Sequence, residues 1–287
     1  MNKIGIYVFS GTGNTLKCAN ELKTALDSLE VSNCLYQITA DPLTVSEKDI
    51  VLCYPVHGFN APNIMIDFCK DLPSTHGNVW FLKTSGEPLR LNSNSSGELL
   101  KIVQKKGYTV KSEFHYVMPY NMVFRHSDEM ASLMWKTAKE RILNAAEQIA
   151  AGRQIPVSPS LPAKAMSGIC RIEHWFYPKN GRLFRIDGKR CTRCMKCVNS
   201  CPTKNIRFED GQFRFGKNCI GCVRCSFQCP SEAIRIGLIN FMRVNGPYDF
   251  NRDSNGAIIG KYCKKAYKRY FEGGAETGIQ ANRDLAR

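Results

Sequence analysis

Five short apolar runs punctuate the first half of the chain: "IGIYVF" at 4–9, "NCLYQI" at 33–38, "DIVLCYPV" at 49–56, "NVWFLKT" at 78–84 and "SEFHYVM" at 112–118. Runs of this length, rich in β-branched and aromatic residues, predict strands. Between and after them, helical patterns begin near Gly13, Ala61, Ser95 and Ser127. The clearest is the last. Met130, Met134, Ala138, Ile142, Ala145 and Ile149 recur at three- and four-residue spacing, Ser127-Asp128-Glu129 marks a start and Gly152 a stop. Mostly apolar strands alternating with helices predict a doubly wound α/β domain with a five-stranded parallel sheet over residues 1–152.

The pattern then lapses. "GRQIPVSPSLPAK" (152–164) carries three prolines without periodicity and reads as a linker. It leads into an aromatic stretch, "AMSGICRIEHWFYPKNGRLFRID", with the makings of a short helix bridging two domains. A linker and bridging segment is therefore assigned to 153–185, a cysteine-rich domain to 186–237 and a basic extension to 238–287. In the extension, Tyr262 or Cys263, Ala266 or Tyr267, and Tyr270 or Phe271 form a helical stripe with lysines on the other faces. Such a stripe either packs on the protein or meets an acidic partner.

At 287 residues, 43% of them hydrophobic, the chain is long enough for two folded domains. It shows no secretory pattern after Met1 and no apolar stretch near the roughly 20 residues of a membrane span, so a soluble, cytoplasmic protein is expected. The formal net charge of +15 raises nucleic acid as a partner, yet no nucleic-acid module accompanies it.

Cysteine changes the picture most. Eight of fourteen fall between Cys191 and Cys229 as "CTRCMKCVNSCPTKNI" and "CIGCVRCSFQCPSEAI", a repeat of 28 residues. Each half reads CxxCxxCxxxCP. Two-residue spacing lets one tight loop wrap three corners of an iron–sulfur cubane, while the fourth thiolate reaches the other cluster. Structural zinc is the alternative, although it leaves the regular third and fourth cysteines without a purpose. This segment resembles a bacterial two-[4Fe-4S] ferredoxin. The resemblance implies Cys191, Cys194, Cys197 and Cys229 on one cluster, with Cys219, Cys222, Cys225 and Cys201 on the other. Ferredoxins of this kind are usually acidic, whereas residues 186–237 hold ten Lys or Arg against four acids. The remaining cysteines, Cys18, Cys34, Cys53, Cys69, Cys170 and Cys263, read as inert thiols.

Between the first strand and first helix lies "SGTGNT", Ser10 to Thr15. A P-loop needs a lysine that "SGTGNTLK" lacks at the required place, and a dinucleotide fingerprint needs a third glycine. What remains is a loop of hydroxyls and amides ahead of a helix N-terminus, suited to a phosphate monoester. It resembles the phosphate loop of flavodoxins, which have the same doubly wound sheet. That resemblance implies FMN, with Ser10, Gly11, Thr12, Gly13, Asn14 and Thr15 around its phosphate. Pro55, His57, Gly58, Phe59 and Asn60 would then flank the ring on one side, and Thr84, Ser85 and Gly86 on the other. Gly58 becomes a candidate for the peptide that faces flavin N5, with a plain loop glycine as the alternative. Tyr120 and Asn121 are further candidates to border the site. "TSGEP" offers no aromatic residue to stack on the ring.

Together the two halves resemble flavodoxin–ferredoxin fusions, found mainly in anaerobic bacteria and archaea. They imply an electron-transfer protein passing electrons between FMN, two [4Fe-4S] clusters and a protein redox partner, with an acidic docking face on that partner as one form. Thiolates on two clusters and a flavin phosphate would lower the net charge by about six. Two alternatives stand beside this. One is an FMN/iron–sulfur oxidoreductase acting on NAD(P)H or a small substrate, with His57, Glu87 or Tyr120 gating protons. The other is a sensing or docking module with a flavin-free fold.

Overall fold

The structure is a computed structural model, and residues 3–273 are described. Strands β1 (Ile4–Val8), β2 (Asn33–Gln37), β3 (Asp49–Pro55), β4 (Asn78–Ser85) and β5 (Thr109–Val117) form one parallel sheet in the order β2-β1-β3-β4-β5. Helices α1 (Asn14–Ser28), α2 (Asn63–Asp71), α3 (Gly97–Lys105) and α4 (Asp128–Ala150) cover it. Side chains alternate across the strands. Ile4, Ile6 and Val8 therefore pack with α1 and α4, while Tyr7 joins α2 and α3 on the other face. Both faces being covered explains why β1, β3 and β4 read as nearly continuous apolar runs.

This strand order is that of the flavodoxin-like doubly wound fold. The chain reverses direction across the sheet between β1 and β3, so the loops following those strands diverge and leave a crevice at their carboxyl ends. Gly13 precedes α1 with φ 116°, a conformation that suits glycine. Ser127 caps α4 by accepting from the Met130 N–H.

The expected linker is only half irregular. Ile155 donates to the Lys111 carbonyl at 2.7 Å, fastening the chain beside β5. From Leu161 it is helical: α5 (Leu161–Cys170) and α6 (Ile172–Gly181) are joined by Arg171, itself in helical geometry. Pro162 lies in the first turn, where its missing N–H costs no intrahelical bond, and Ser160 caps that turn. The proline count thus misled as to where the linker ends.

In the cysteine-rich part, β6 (Arg185–Ile186) pairs antiparallel with β9 (Ile234–Arg235). The hairpin β7 (Ile206–Glu209) and β8 (Gln212–Phe215), and the single turns α7 (Lys196–Asn199) and α8 (Arg224–Phe227), lie between them. The sequence repeat is also a backbone repeat. Positive φ recurs at Arg193 and Gly221, Met195 and Val223, and Lys204 and Glu232, each pair 28 residues apart.

Beyond residue 237 the chain wraps back over the first domain. Val123 donates to the Met242 carbonyl at 2.8 Å. Helix α9 (Lys264–Glu272) lays Tyr267, Tyr270 and Phe271 against Val117, Met130 and Met134. The aromatic stripe therefore packs on the protein; residues 274–287 of the extension lie outside the described residues.

One buried ion pair interrupts the apolar sheet. Lys83 Nζ lies 2.8 Å from Glu113, both nearly closed to solvent, and donates to the Asn92 carbonyl. Burial holds the Glu113 carboxyl above its ordinary value, with Lys83 opposing. Removing one partner of such a pair strands the other. Lys83→Met should cost about 3–5 kcal/mol at pH 8. The loss should shrink as pH falls, because a carboxyl held above its ordinary value takes up its proton sooner and is then no longer an unpaired buried charge, as read by denaturant titration at pH 8 and pH 5.

Candidate functional site

The crevice opens at the carboxyl ends of β1, β3 and β4 as a cavity of ≈ 300 Å³, at the small end of the ligand-sized range of about 300–1,000 Å³. Of the residues expected around a flavin, Ser10, Gly11, Thr12, Asn14, Thr15, Pro55, His57, Gly58, Phe59, Thr84, Ser85 and Gly86 line it. Gly13 and Asn60 do not: Gly13 caps α1, and Asn60 lies buried behind the 57–60 turn.

Within the hexapeptide, Ser10 Oγ accepts from the Gly13 N–H at 3.2 Å, and Thr15 and Thr84 share a buried hydroxyl contact of 2.7 Å. Thr12 Oγ1 accepts from Asn121 at 2.8 Å, which leaves its own O–H free to donate. Asn14 lines the cavity while donating one amide hydrogen to the carbonyl of Pro119, a further lining residue, at 2.8 Å. Hydroxyl and backbone donors, with the second Asn14 amide hydrogen, are what this loop offers an anion.

The opposite wall is a tight turn. His57 and Asn60 exchange backbone hydrogen bonds, and Gly58 and Phe59 between them have φ of 48° and 59°. Asn60 Nδ2 holds the Gly58 carbonyl at 2.8 Å and the Ser167 carbonyl of α5 at 2.9 Å. A Cβ on Gly58 would stand within 2.4–2.6 Å of the Glu173 carboxylate, which would have to move aside, and its φ of 48° favours glycine.

Glu87 of the "TSGEP" loop also lines the cavity, and more of the lining comes from outside these loops. Asn92, Tyr120, Asn121, Glu173, Tyr177, Gly221, Cys222, Met242 and Tyr262 all reach it. Tyr120 donates its hydroxyl to Glu87, and Tyr177 donates to Glu173 at 2.8 Å. Burial raises both carboxyls above their ordinary values, each against a lowering hydrogen bond from its tyrosine. The ring of Tyr120 lies over Gly86, where a Cβ would come within 2.6 Å. An aromatic surface that "TSGEP" lacks is thus supplied by the segment after β5.

One cysteine, Cys222, meets the crevice directly. A Cβ on Gly11 would lie 2.8 Å from the Cys222 carbonyl oxygen. Arg224, two residues on, donates from Nε to the Gly11 carbonyl at 2.7 Å, from Nη2 to the Ser10 carbonyl and from Nη1 to the Ser200 carbonyl at 2.8 Å.

Two further cavities lie in the cysteine-rich part. One is lined by Cys201, Cys219, Cys222 and Cys225, the other by Cys191, Cys194, Cys197 and Cys229. Each collects three thiols of one run and the fourth of the other. Among the described residues, no three or more of His, Cys, Asp and Glu are arranged to hold a single metal ion. Four sulfurs around a cavity suit a cluster body better than one zinc. Backbone amides aim at sulfur in both halves: Asn205 N–H at Cys201 Sγ (3.2 Å) and Ala233 N–H at Cys229 Sγ (3.3 Å). Burial pushes the Cys219 thiol up to about 12, so a thiolate at that depth needs compensating positive charge such as iron. Cys194, by contrast, is exposed.

Residues 183–230 match the family model of a 4Fe-4S dicluster domain. No curated protein matches the chain. Among similar solved structures are a flavodoxin from Streptococcus pneumonia TIGR4 (19% identity, 52% of this chain and 97% of that one, TM-score 0.37) and oxidised Flavodoxin 2 from Bacillus cereus (13%, 53% and 99%, 0.38). A third is general stress protein 14 from Treponema denticola, in complex with FMN (8%, 53% and 97%, 0.36). Strand order, rather than these similarities, carries the fold. The chain joins a flavodoxin-like sheet to a 4Fe-4S dicluster domain, the layout of a flavodoxin–ferredoxin fusion. Among the described residues no helix is long and apolar enough to cross a membrane.

His57 provides a test of the cavity's surroundings. Burial first, then the nearby His174, pull its imidazole down to about 4, against a backbone hydrogen bond at Ile220. The unfolded chain, with His near 6.5, binds the proton first, so stability falls as pH drops from about 6.5 toward 4. NMR titration should place the His57 midpoint near 4; a midpoint at or above 6.5 would contradict the packing described.

Proposed function

We propose that this protein is an electron carrier that passes electrons between FMN in the crevice, two [4Fe-4S] clusters and a protein redox partner in the cytoplasm. The observation that carries the reading is the contact of Gly11 with the Cys222 backbone, clamped by Arg224. It brings a phosphate-type loop and a cluster-type loop onto one cavity wall.

The cavity partition supports Cys201, Cys219, Cys222 and Cys225 as ligands of an inner cluster beside the crevice. Cys191, Cys194, Cys197 and Cys229 would hold an outer one. Bound FMN exchanges one or two electrons and each cluster one, so the cofactors supply the redox chemistry. The chain's own residues do the rest. Ser10 and Thr12 hydroxyls and the α1 N-terminus would hold the phosphate, and the 57–60 turn, fixed through Asn60 and Ser167, would bound one side of the ring. Tyr120 and Tyr262 would bound the other. Arg224 keeps flavin site and inner cluster in register, which fixes donor and acceptor at high effective concentration.

A second reading, an FMN/iron–sulfur oxidoreductase acting on NAD(P)H or a small substrate, is favoured by the Glu87–Tyr120 and Glu173–Tyr177 pairs. These acids line the cleft, Glu87 buried and Glu173 half-buried, and could hold protons for a substrate being reduced. Anaerobic mixing with NADH or NADPH separates the two, since fast stoichiometric bleaching favours the enzyme.

Protein purified without oxygen should contain about one FMN, eight iron and eight sulfide per chain. Cys201→Ser should alter the same cluster signal in electron paramagnetic resonance as Cys219→Ser, although 201 lies in the other run. Full iron without flavin, even after incubation with excess FMN, would leave the flavin-free module. Cys201→Ser altering the cluster of Cys191 instead would overturn the ligand partition.

A further inference from the structure

The two cavities of the cysteine-rich part differ in what lies outside them. The inner one is flanked on one side by the hexapeptide, through Gly11 against Cys222, and by Arg224. The outer one reaches the surface at Cys194, and exposed cations stand beside it and on the outer face of its wall: Arg193 and Lys196 flank that cysteine, Lys189 and Arg190 precede its run, and Arg185 and Arg235 stand on β6 and β9. Acids in the same segments are few. Asp187 accepts the Lys189 backbone N–H at 3.1 Å, and Glu232 lies 3.8 Å from Arg190. Glu209 and Asp210, on the neighbouring hairpin, face Arg207 and Arg214. Arg185, Lys189, Arg193, Lys196 and Arg235 make no ion pair among the described residues.

Two of these charges, Arg185 and Arg235, are placed where they do not help to hold the fold. Ile186 and Ile234, paired in register, line the outer cavity, so Arg185 and Arg235, one step along, project from the opposite face. They are themselves paired in register, and like charges directly opposite each other destabilise a strand pair. An anionic surface laid across them removes that repulsion. Cationic side chains rimming an exposed redox centre also steer an anionic partner to it and raise the encounter rate.

We propose that this basic rim is the docking site of an acidic redox protein, and that the outer cluster is the port through which single electrons enter or leave. The proposal rests on the relay reading for the identity of the cluster, and on the rim for the sign and position of the partner. One electron moves from the partner's reduced centre to the outer cluster; no bond forms or breaks and no proton need move. A protein is favoured over nucleic acid because these cations lie beside and outside the wall of a cavity of redox thiols, and only a redox partner gains from proximity to it.

The test uses the holoprotein, with a small acidic two-[4Fe-4S] ferredoxin, chemically reduced, as the probe in anaerobic stopped flow. The bimolecular rate should fall at least tenfold as salt rises from about 20 to about 500 mM. Arg185→Glu should lower the low-salt rate several-fold while raising the thermal midpoint, because it turns a like-charged cross-strand pair into an opposite one. A rim that served stability alone would give no such opposed pair of changes. Reduction by the small cation radical of methyl viologen should not slow in that variant. A salt-independent rate, or one indifferent to Arg185→Glu and Arg235→Glu together, overturns the proposal, as does duplex-DNA binding that those substitutions abolish while the protein-to-protein rate stays unchanged. If the salt and charge effects hold in protein that carries iron but binds no FMN, the port stands and the flavin relay fails.

Discussion

A guanidinium presents five N–H donors in a rigid planar fork, and Arg224 directs three of them at backbone carbonyls that no single element could bring together. Ser10 and Gly11 belong to the loop after the first strand, and Ser200 to the first cysteine run. Buried carbonyls need partners, so this one side chain both satisfies them and sets the distance between a phosphate-type loop and a cysteine loop. Glycine at position 11 follows from that closeness, because a methyl group there would press on the Cys222 carbonyl. Lysine could not reproduce the fork.

Around this junction the crevice is assembled from four parts of the chain. The sheet supplies the hexapeptide and the loops after β3 and β4. Helices α5 and α6 reach across to pin the 57–60 turn through Ser167 and to place Glu173 against Gly58. The cysteine module contributes Gly221 and Cys222, and the C-terminal segment returns to add Met242 and Tyr262. Tyr267 ties that segment down by donating to the Gly86 carbonyl. The second half of the chain is thus part of the first domain's site, not an appendage on a tether.

What the sequence made legible was whatever repeats locally. Apolar runs located the five strands to within a few residues, the Met130-to-Ile149 stripe located α4, and the 28-residue spacing foreshadowed the matched backbone kinks at Met195 and Val223. The hexapeptide was legible because hydroxyls and glycines cluster at a strand-to-helix junction. The start of α5 was not, since three prolines read as a break although Pro162 sits where a helix tolerates it. Arg224, Glu173, Tyr177 and Met242 could not be placed either. They reach the crevice over separations of a hundred residues or more, and nothing in their local periodicity records the destination. Tyr120 was a candidate only by its position after the fifth strand, whereas its place over Gly86 is tertiary packing.

The central claim is that flavin and inner cluster share one wall, so electrons pass between them within a molecule. Anaerobic pulse reduction of the loaded protein, followed by flavin and cluster absorbance over a range of protein concentrations, tests this most directly. The account predicts a redistribution rate independent of protein concentration and slowed at least tenfold by Arg224→Ala at unchanged flavin and iron content. A rate that rises in proportion to protein concentration would show exchange between molecules and contradict it.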